Sequence, residues 1–169
     1  IPDYTAALQG EDGQACEDGS CEPETQVEAR TDFAQCARGS GKDCGHLPAI
    51  GASEWLNALG EPHGTVTLVD FWSSSCVNCA REIPEIERIY EKYKDAGLVV
   101  IGVHSPQQAH ERDASVVSGA ASRLGITYPV ALDPDLEAFQ AYGATAWPTH
   151  YLAGPDGQLR SVGRGTSGL

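Results

Sequence analysis

Two cysteines, Cys76 and Cys79, stand two residues apart where an apolar run ends and a helix-like stretch begins. The apolar run is Val66–Trp72, and the helix-like stretch is Glu82–Tyr93. A thiol at the start of a helix faces unpaired backbone N–H groups and the positive end of the helix dipole, which both stabilise a thiolate. The thiolate is the nucleophile of thiol–disulfide exchange, and a second nearby cysteine can resolve the mixed disulfide. The spacing therefore predicts a redox dithiol in which Cys76 attacks and Cys79 resolves.

Other interpretations of the pair are less favoured. A structural zinc site usually has four ligands, often as two cysteine pairs, and the sequence contains no second pair with this spacing. In an exported protein the pair can form an inert structural disulfide. A strand before the pair and a helix after it, however, are the context of a redox motif. Copper delivery would need a wider cysteine spacing and a partner histidine, for which His104 and His150 are the candidates. Because single histidines in strands are more often structural, both are left outside the predicted site, and no metal or cofactor is expected.

The elements that must position the pair begin at about Thr65. The run Val66–Trp72 is almost entirely apolar, which predicts a strand buried on both faces in the centre of a mixed sheet. Apolar residues then recur at helical spacing from Ile83 to Tyr93. Further predicted elements are a short helical turn at Ser53–Asn57, a strand at Leu98–Val103, a helix at Gln107–Leu124, a strand at Tyr128–Leu132, a helix at Leu136–Tyr142, and a hairpin of Thr149–Ala153 with Gln158–Val162. This alternation predicts an α/β sandwich with a mixed sheet.

Length and charge narrow the class of protein. The chain has 169 residues and a formal net charge of -13 at pH 7. This length suits one domain with a modest appendage, and the charge argues against nucleic acid or an anionic membrane surface as a partner. No apolar stretch is long enough to span a bilayer, so the sequence predicts a soluble chain. Since it begins at Ile1 without a methionine and shows no targeting segment, it is interpreted as part of a longer protein.

The other four cysteines lie in a Gly-rich, acidic lead segment, residues 1–47. Such a segment has too little apolar content to hold itself together without covalent links. Disulfides are the expected links, and they place the protein outside the reducing cytosol. Three pairings are open, and proximity in the chain favours Cys16 with Cys21 and Cys36 with Cys44. A metal knot with His46 is less favoured, because the spacings fit no common zinc pattern.

The chain resembles the thioredoxin superfamily. The residues that carry the resemblance are the dithiol, the strand before it and the sequence Trp147-Pro148-Thr149 ahead of the hairpin. The resemblance covers roughly residues 48–165 and implies a three-layer sandwich with a central mixed sheet and a cis-proline at Pro148 facing the dithiol. It divides the chain into the lead segment, residues 1–47, and a thioredoxin-like domain, residues 48–169. A last helix, usual in this fold, is expected to be missing because the chain stops at Leu169.

Within the superfamily, the chain is similar to the extracytoplasmic TlpA-like proteins. Cys79, Glu82 and Pro84 match their Cys-x-x-Glu-x-Pro pattern. The stretches 71–79, 97–106 and 1–5 resemble the C-terminal region of DipZ-type bacterial membrane proteins and its junction with the membrane part. That resemblance implies a tethered domain on the extracytoplasmic side, which receives electrons from a membrane electron-carrier domain of the DsbD or CcdA type. The sequence departs from the usual pattern at Ser75, where most relatives carry tryptophan, so the surface that meets client proteins must differ.

The resemblance also implies roles for residues near the pair. In thioredoxins the acid at the position of Asp70 lies buried beneath the dithiol, and a desolvated carboxyl with a raised pKa suits proton exchange with the resolving thiol. Glu82 lies one helical turn beyond Cys79, and the matching glutamate of TlpA-like proteins lines the active-site cavity. The predicted client-binding residues are Trp72, Val77, Asn78, Trp147 and Pro148.

The favoured function is a thiol–disulfide oxidoreductase that relays reducing equivalents from a membrane carrier to oxidised client proteins. An oxidase or isomerase that introduces disulfides is an alternative, and Val77 and Asn78 between the cysteines do not decide between the two. A thioredoxin-fold binding module with a merely structural disulfide is another. A peroxidase is disfavoured, because a peroxidatic cysteine does not need a partner three residues further on.

Overall fold

The computed structural model describes residues 33–37 and 44–164. The strands are β1 (Trp55–Leu56), β2 (Val66–Trp72), β3 (Leu98–His104), β4 (Val130–Leu132), β5 (Thr149–Ala153) and β6 (Leu159–Gly163). They form one mixed sheet in the order β1-β4-β3-β2-β5-β6. Strand β2 pairs in parallel with β3, and β3 with β4, whereas the pairs β1–β4, β2–β5 and β5–β6 are antiparallel. The strand that leads to the dithiol therefore lies between two neighbours in the middle of the sheet.

Within the described residues, four helices cover the sheet. They are α1 (residues 33–37), α2 (Val77–Tyr93), α3 (Ala114–Leu124) and α4 (Glu137–Ala141), with short 3-10 helices at Lys94–Ala96 and Ala109–Arg112. Gly97 has a φ of 99°, a conformation that favours glycine, and it ends the first 3-10 helix before β3. No helix in the part of the chain that the structure describes is both long and apolar enough to cross a membrane.

The two faces of the sheet bury separate apolar clusters, because side chains alternate along each strand. Leu68 and Trp72 of β2 pack with α2 and α3 on one face, whereas Val69 and Phe71 pack with α1 and α4 on the other. Asp70 lies two residues from both Leu68 and Trp72, so the alternation of side chains along β2 places its side chain on the α2 face. The three-layer sandwich with a central mixed sheet is confirmed.

A disulfide joins Cys36 of α1 to Cys44, with a Cα–Cα distance of 5.5 Å. The favoured pairing of these two cysteines is confirmed, whereas Cys16 and Cys21 lie outside the described residues. Phe33, in the same helix, is buried against the aromatic rings of Tyr142 and Tyr151. The end of the lead segment therefore packs into the core on the α4 face.

Two predicted elements differ from the structure. Ser53–Asn57 does not form a helical turn, because Trp55 and Leu56 pair as β1 with β4. Asn57 then adopts a φ of 61° and donates side-chain hydrogen bonds to the carbonyl groups of Ile126 and Tyr128, which ends the strand. The single helix predicted at Gln107–Leu124 is divided, because Asp113 caps the N-terminus of α3 through a 2.8 Å bond from the Ser115 N–H.

Candidate active site

Cys76 is the N-cap of α2, and the structure joins it to Cys79 in a disulfide with a Cα–Cα distance of 5.2 Å. The Cys79 N–H, one of the donors that a first helical turn leaves unpaired, donates a 3.1 Å hydrogen bond to the Cys76 Sγ. Cys76 is half-buried, whereas Cys79 is only 1% exposed. A client protein therefore has better access to Cys76 than to Cys79.

A buried carboxylate holds the loop between β2 and Cys76. It belongs to Glu111, which lies in the 3-10 helix Ala109–Arg112 and is 1% exposed. It accepts hydrogen bonds of 2.6 to 3.1 Å from the hydroxyl groups of Ser73 and Ser74 and from the backbone N–H groups of Ser75, Gln107 and Gln108. Burial acts to raise the pKa of Glu111, but these hydrogen bonds outweigh it and lower the pKa to about 2. A negative charge is thus fixed against the residue that precedes the first cysteine.

His104 supports the same loop from the end of β3. Its Nε2 accepts a 3.1 Å hydrogen bond from the Ser74 N–H, and its ring packs edge-on against Trp72. Burial lowers the pKa of His104 to about 4, although the nearby Glu111 carboxylate acts in the opposite direction. The imidazole is therefore neutral at physiological pH, as an acceptor must be.

Acidification is expected to weaken the fold as His104 is forced to take up a proton. The pKa of His104 is about 4 when folded and about 6.5 in an unfolded chain. Between these values the unfolded chain binds more protons, so the unfolding free energy falls as the pH falls from about 6.5 to about 4, by up to about 3 kcal/mol. Denaturant titrations across this range measure the slope. His104→Gln should flatten it, whereas His63→Gln, at an exposed histidine, should not; equal slopes in both variants would contradict the prediction.

A second group of ionisable side chains lies where β2 and β5 face α2. In the antiparallel pair, Asp70 of β2 is directly opposite His150 of β5. The His150 Nε2 lies 3.1 Å from Asp70 Oδ1 and 3.6 Å from Glu82 Oε2. Both His150 and Asp70 are nearly inaccessible, with 2% of each side chain exposed, whereas the Glu82 side chain is 20% exposed. The structure therefore brings together two of the predicted acids through a histidine that lies outside the prediction.

The pKa of Glu82 reflects this environment. Burial raises the pKa of its carboxyl, the charge of His150 lowers it, and the charge of Asp70 raises it, so the pKa of Glu82 lies above its usual value.

The three side chains do not form a metal site. No other group of three or more His, Cys, Asp or Glu side chains in residues 33–37 and 44–164 does so either.

The predicted client-binding residues differ in accessibility. Val77 is 64% exposed and Asn78 is exposed beside it, at the tip of the dithiol loop. Trp147 is half-buried, and Pro148 is buried and follows a cis peptide bond, as the superfamily resemblance implies. Trp72 is fully buried and packs in the same cluster as Cys79, so it offers no surface to a client in this state.

Trp147 is fixed from two sides. Its indole N–H donates a 2.9 Å hydrogen bond to the Ser105 carbonyl, and its ring stacks on Phe139 with 4.4 Å between centroids. Asp133 anchors the same region by accepting hydrogen bonds from the Ser105 hydroxyl and from the first N–H groups of α4. The segment next to Pro148 is thereby held at a fixed position relative to β3 and α4.

Three residues that shape the site, Glu111, His104 and His150, lie outside the sequence-based assignment. The signal for Glu111 is the run of serines before Cys76, whose hydroxyl and amide groups need an acceptor once they are buried. His104 has a clearer signal, because Val66–Trp72 and a strand that starts at Leu98 and ends at His104 have equal length. Parallel pairing from their first residues places His104 beside Trp72. The pairing of His150 with Asp70 depends on an antiparallel register, for which the sequence gives no comparable signal.

The fold, with a disulfide at the start of α2, is that of the thioredoxin-like class of proteins. Residues 55–162 match the AhpC/TSA family, and the chain belongs to that family.

Known proteins of this kind are similar over much of the chain. Thiol-disulfide oxidoreductase YkuV of Bacillus subtilis is 32% identical over 126 residues, which cover 70% of this chain and 82% of YkuV. Protein DipZ of Mycobacterium tuberculosis is 37% identical over 179 residues, which cover 96% of this chain but 25% of DipZ. The chain thus spans about a quarter of the length of DipZ. A solved thioredoxin-like protein in its oxidised form superposes with a TM-score of 0.66 at 30% identity and covers 74% of this chain and 87% of its own.

Proposed function

We propose that the chain is a reductant of protein disulfides that acts on the extracytoplasmic side of a bacterial membrane. It receives an electron pair from a membrane electron carrier and passes it to oxidised client proteins through Cys76 and Cys79. The thioredoxin-like fold and the relatives support thiol–disulfide exchange, and the DipZ similarity supports a membrane-tethered setting. The observation that carries the direction of electron flow is the placement of acids around the dithiol.

Carboxylates disfavour a nearby thiolate, because like charges repel in a poorly solvated site. The Glu111 carboxylate accepts the Ser75 N–H directly before Cys76, and Glu82 lies one helical turn after Cys79. Asp70 is buried on the sheet face that α2 covers. A strongly oxidising dithiol is one whose reduced form is stabilised. Here the charges destabilise the thiolates of the reduced form, which favours the disulfide and makes the dithiol a good reductant.

The exchange has two steps. The Cys76 thiolate attacks a client disulfide, so that a bond forms between Cys76 and one client sulfur while the other client sulfur leaves and takes up a proton. Cys79 then loses its proton and attacks the Cys76 sulfur, which forms the Cys76–Cys79 bond and releases the second client thiol. The client gains two electrons, and a reduced dithiol of the membrane carrier later restores them.

We assign roles to the predicted site residues in this scheme. Asp70 and Glu82 accept the proton that Cys79 releases: Asp70 is buried on the sheet face that α2 covers, and burial raises the pKa of Glu82, which suits it to that exchange. Val77, Asn78 and Trp147 form the client-facing surface, with the Pro148 segment beside it, where the missing proline N–H leaves a backbone edge for a client strand. Trp72 supports this surface from below by packing against the cluster that holds Cys79.

The reduction potential of the Cys76/Cys79 pair tests the proposal. The protein is equilibrated in dithiothreitol buffers of known ratio, and Cys76 alkylation is read by mass. We expect a potential near or below that of thioredoxin, about -270 mV. A value near that of a dedicated oxidase, about -120 mV, would overturn the assignment and identify a disulfide donor. If Cys76 proved inert to alkylation after reduction, the dithiol would be structural and the chain a binding module.

A further inference from the structure

His150 contacts both acids assigned to proton exchange. Its Nε2 is 3.1 Å from Asp70 Oδ1 and 3.6 Å from Glu82 Oε2. The contacts come from different elements, because Asp70 lies on β2, His150 on β5 and Glu82 on α2. The imidazole therefore bridges the two acids.

Solvent exposure rises along the row of side chains formed by Asp70, His150 and Glu82. The side chains of Asp70 and His150 are 2% exposed, and that of Glu82 is 20% exposed. Asp70 shares the α2 face of the sheet with the cluster that contains Cys79, itself 1% exposed. A proton released at Cys79 has no direct access to water, whereas Glu82 has partial access.

We propose that His150 is a positioning residue that couples Asp70 to Glu82, so that the proton lost by Cys79 reaches solvent along this row. This inference rests on the proposed function and concerns its second step. When Cys79 attacks the mixed disulfide, its S–H proton passes to a carboxylate while the Cys76–Cys79 bond forms and the client thiolate leaves. His150 lies between the two carboxyl groups and fixes their relative position, and in its protonated form it offsets part of their negative charge.

Among the residues that the structure describes, few ionisable groups besides Asp70 and Glu82 face His150. On α2 the further group is Cys79, when it is reduced, and β6 places Gly163 opposite His150. Tyr128 lies near Asp70 from the segment before β4: burial, followed by the charge of Asp70, raises the pKa of its hydroxyl. That hydroxyl is therefore protonated across the working pH range and adds no charge.

Stopped-flow mixing of the reduced protein with excess oxidised glutathione separates the two steps. The first phase depends on glutathione concentration and reports attack by Cys76, whereas the second does not and reports closure by Cys79. In His150→Gln we expect the second phase to slow by about tenfold near pH 7, with the first phase unchanged within about twofold. The pH below which closure slows should move up by about one unit, because His150 no longer lowers the pKa of Glu82.

Glu82→Gln provides a second variant in case the buried histidine cannot be replaced without unfolding. It should slow the second phase similarly, and the double variant should be no slower than either single variant, because both act in one route. His63→Gln, at an exposed histidine, is the matched control and should behave as the parent protein.

A second phase in His150→Gln with the parent rate and pH profile would overturn the inference. So would equal slowing of both phases, which indicates a structural role, or additive slowing in the double variant. An oxidising potential of the parent protein would instead count against the proposed function. The ratio of variant to parent rates in the second phase would still test the role of His150.

Discussion

Replacing Cys76 with serine is expected to lower the rate of disulfide reduction by a factor on the order of 10³ or more, as for the loss of other enzymatic nucleophiles. The hydroxyl of serine is not ionised near neutral pH and cannot form the mixed disulfide. Cys79→Ser should behave differently, because its Cys76 still attacks but nothing resolves the intermediate. That variant should accumulate as a covalent adduct with the client. Insulin reduction gives the rate, and mass spectrometry of the unreduced reaction identifies the adduct.

The two serine variants serve as each other's control, because they make the same chemical change three residues apart. Circular dichroism should show that both remain folded. If Cys76→Ser formed the trapped adduct and Cys79→Ser did not, the roles of the two cysteines would be reversed. That result would conflict with the 1% exposure of Cys79.

Replacing Glu111 with glutamine is expected to have the second largest effect, and it should affect both stability and thiol chemistry. The carboxylate accepts N–H bonds from Ser75, Gln107 and Gln108. A glutamine side chain has one acceptor oxygen and would direct its own N–H₂ group at some of these donors. Leaving buried donors unpaired costs about 1 to 3 kcal/mol each, so we expect the unfolding free energy to fall by about 3 kcal/mol. Urea denaturation measures the loss.

Glu111→Gln also removes a negative charge next to the first cysteine. The Cys76 thiol pKa should therefore fall, and alkylation at neutral pH should become faster. The matched control is Glu85→Gln, which breaks a solvent-exposed ion pair with Arg88 and should leave the stability almost unchanged. Slower alkylation of Cys76 in the Glu111 variant would show that the carboxylate promotes the thiolate, contrary to the charge argument.

The sequence predicted the elements whose signals are local. Val66–Trp72 is a strand with the predicted bounds because its apolar character is continuous, and α2 follows because Cys76 can cap it. Ser53–Asn57 was harder to predict, because a two-residue edge strand is defined by its partner β4 rather than by its own pattern. The break in the predicted helix Gln107–Leu124 was missed for a similar reason. The 3-10 helix forms where Glu111 accepts hydrogen bonds from the loop of Ser73, Ser74 and Ser75, and these contacts lie far apart in the sequence.

In the candidate site too, arrangements within one element could be predicted, whereas contacts between distant strands could not. Cys76, Cys79 and Glu82 lie on one helix, so their spacing predicts their arrangement. His150 meets Asp70 through the register of two strands that are 80 positions apart in the chain, and the alternation of either strand alone does not determine that register. Its isolated position in a strand made a structural role the more economical hypothesis, and the two acid contacts argue otherwise.

Under the proposed function, the Cys36–Cys44 disulfide must resist the reductant that opens the Cys76–Cys79 disulfide. Its two cysteines are half-buried, and the short helix that carries Cys36 also carries Phe33 into the aromatic core. The described residues hold two disulfides, and under the proposed function one must open in every cycle while the other survives the same electron donor. Discrimination comes from location: Cys76 caps a helix at an accessible loop, whereas Cys44 packs against the buried cluster that holds Phe33. The proposed function therefore requires the protein to discriminate between its own two described disulfides before it reduces those of a client.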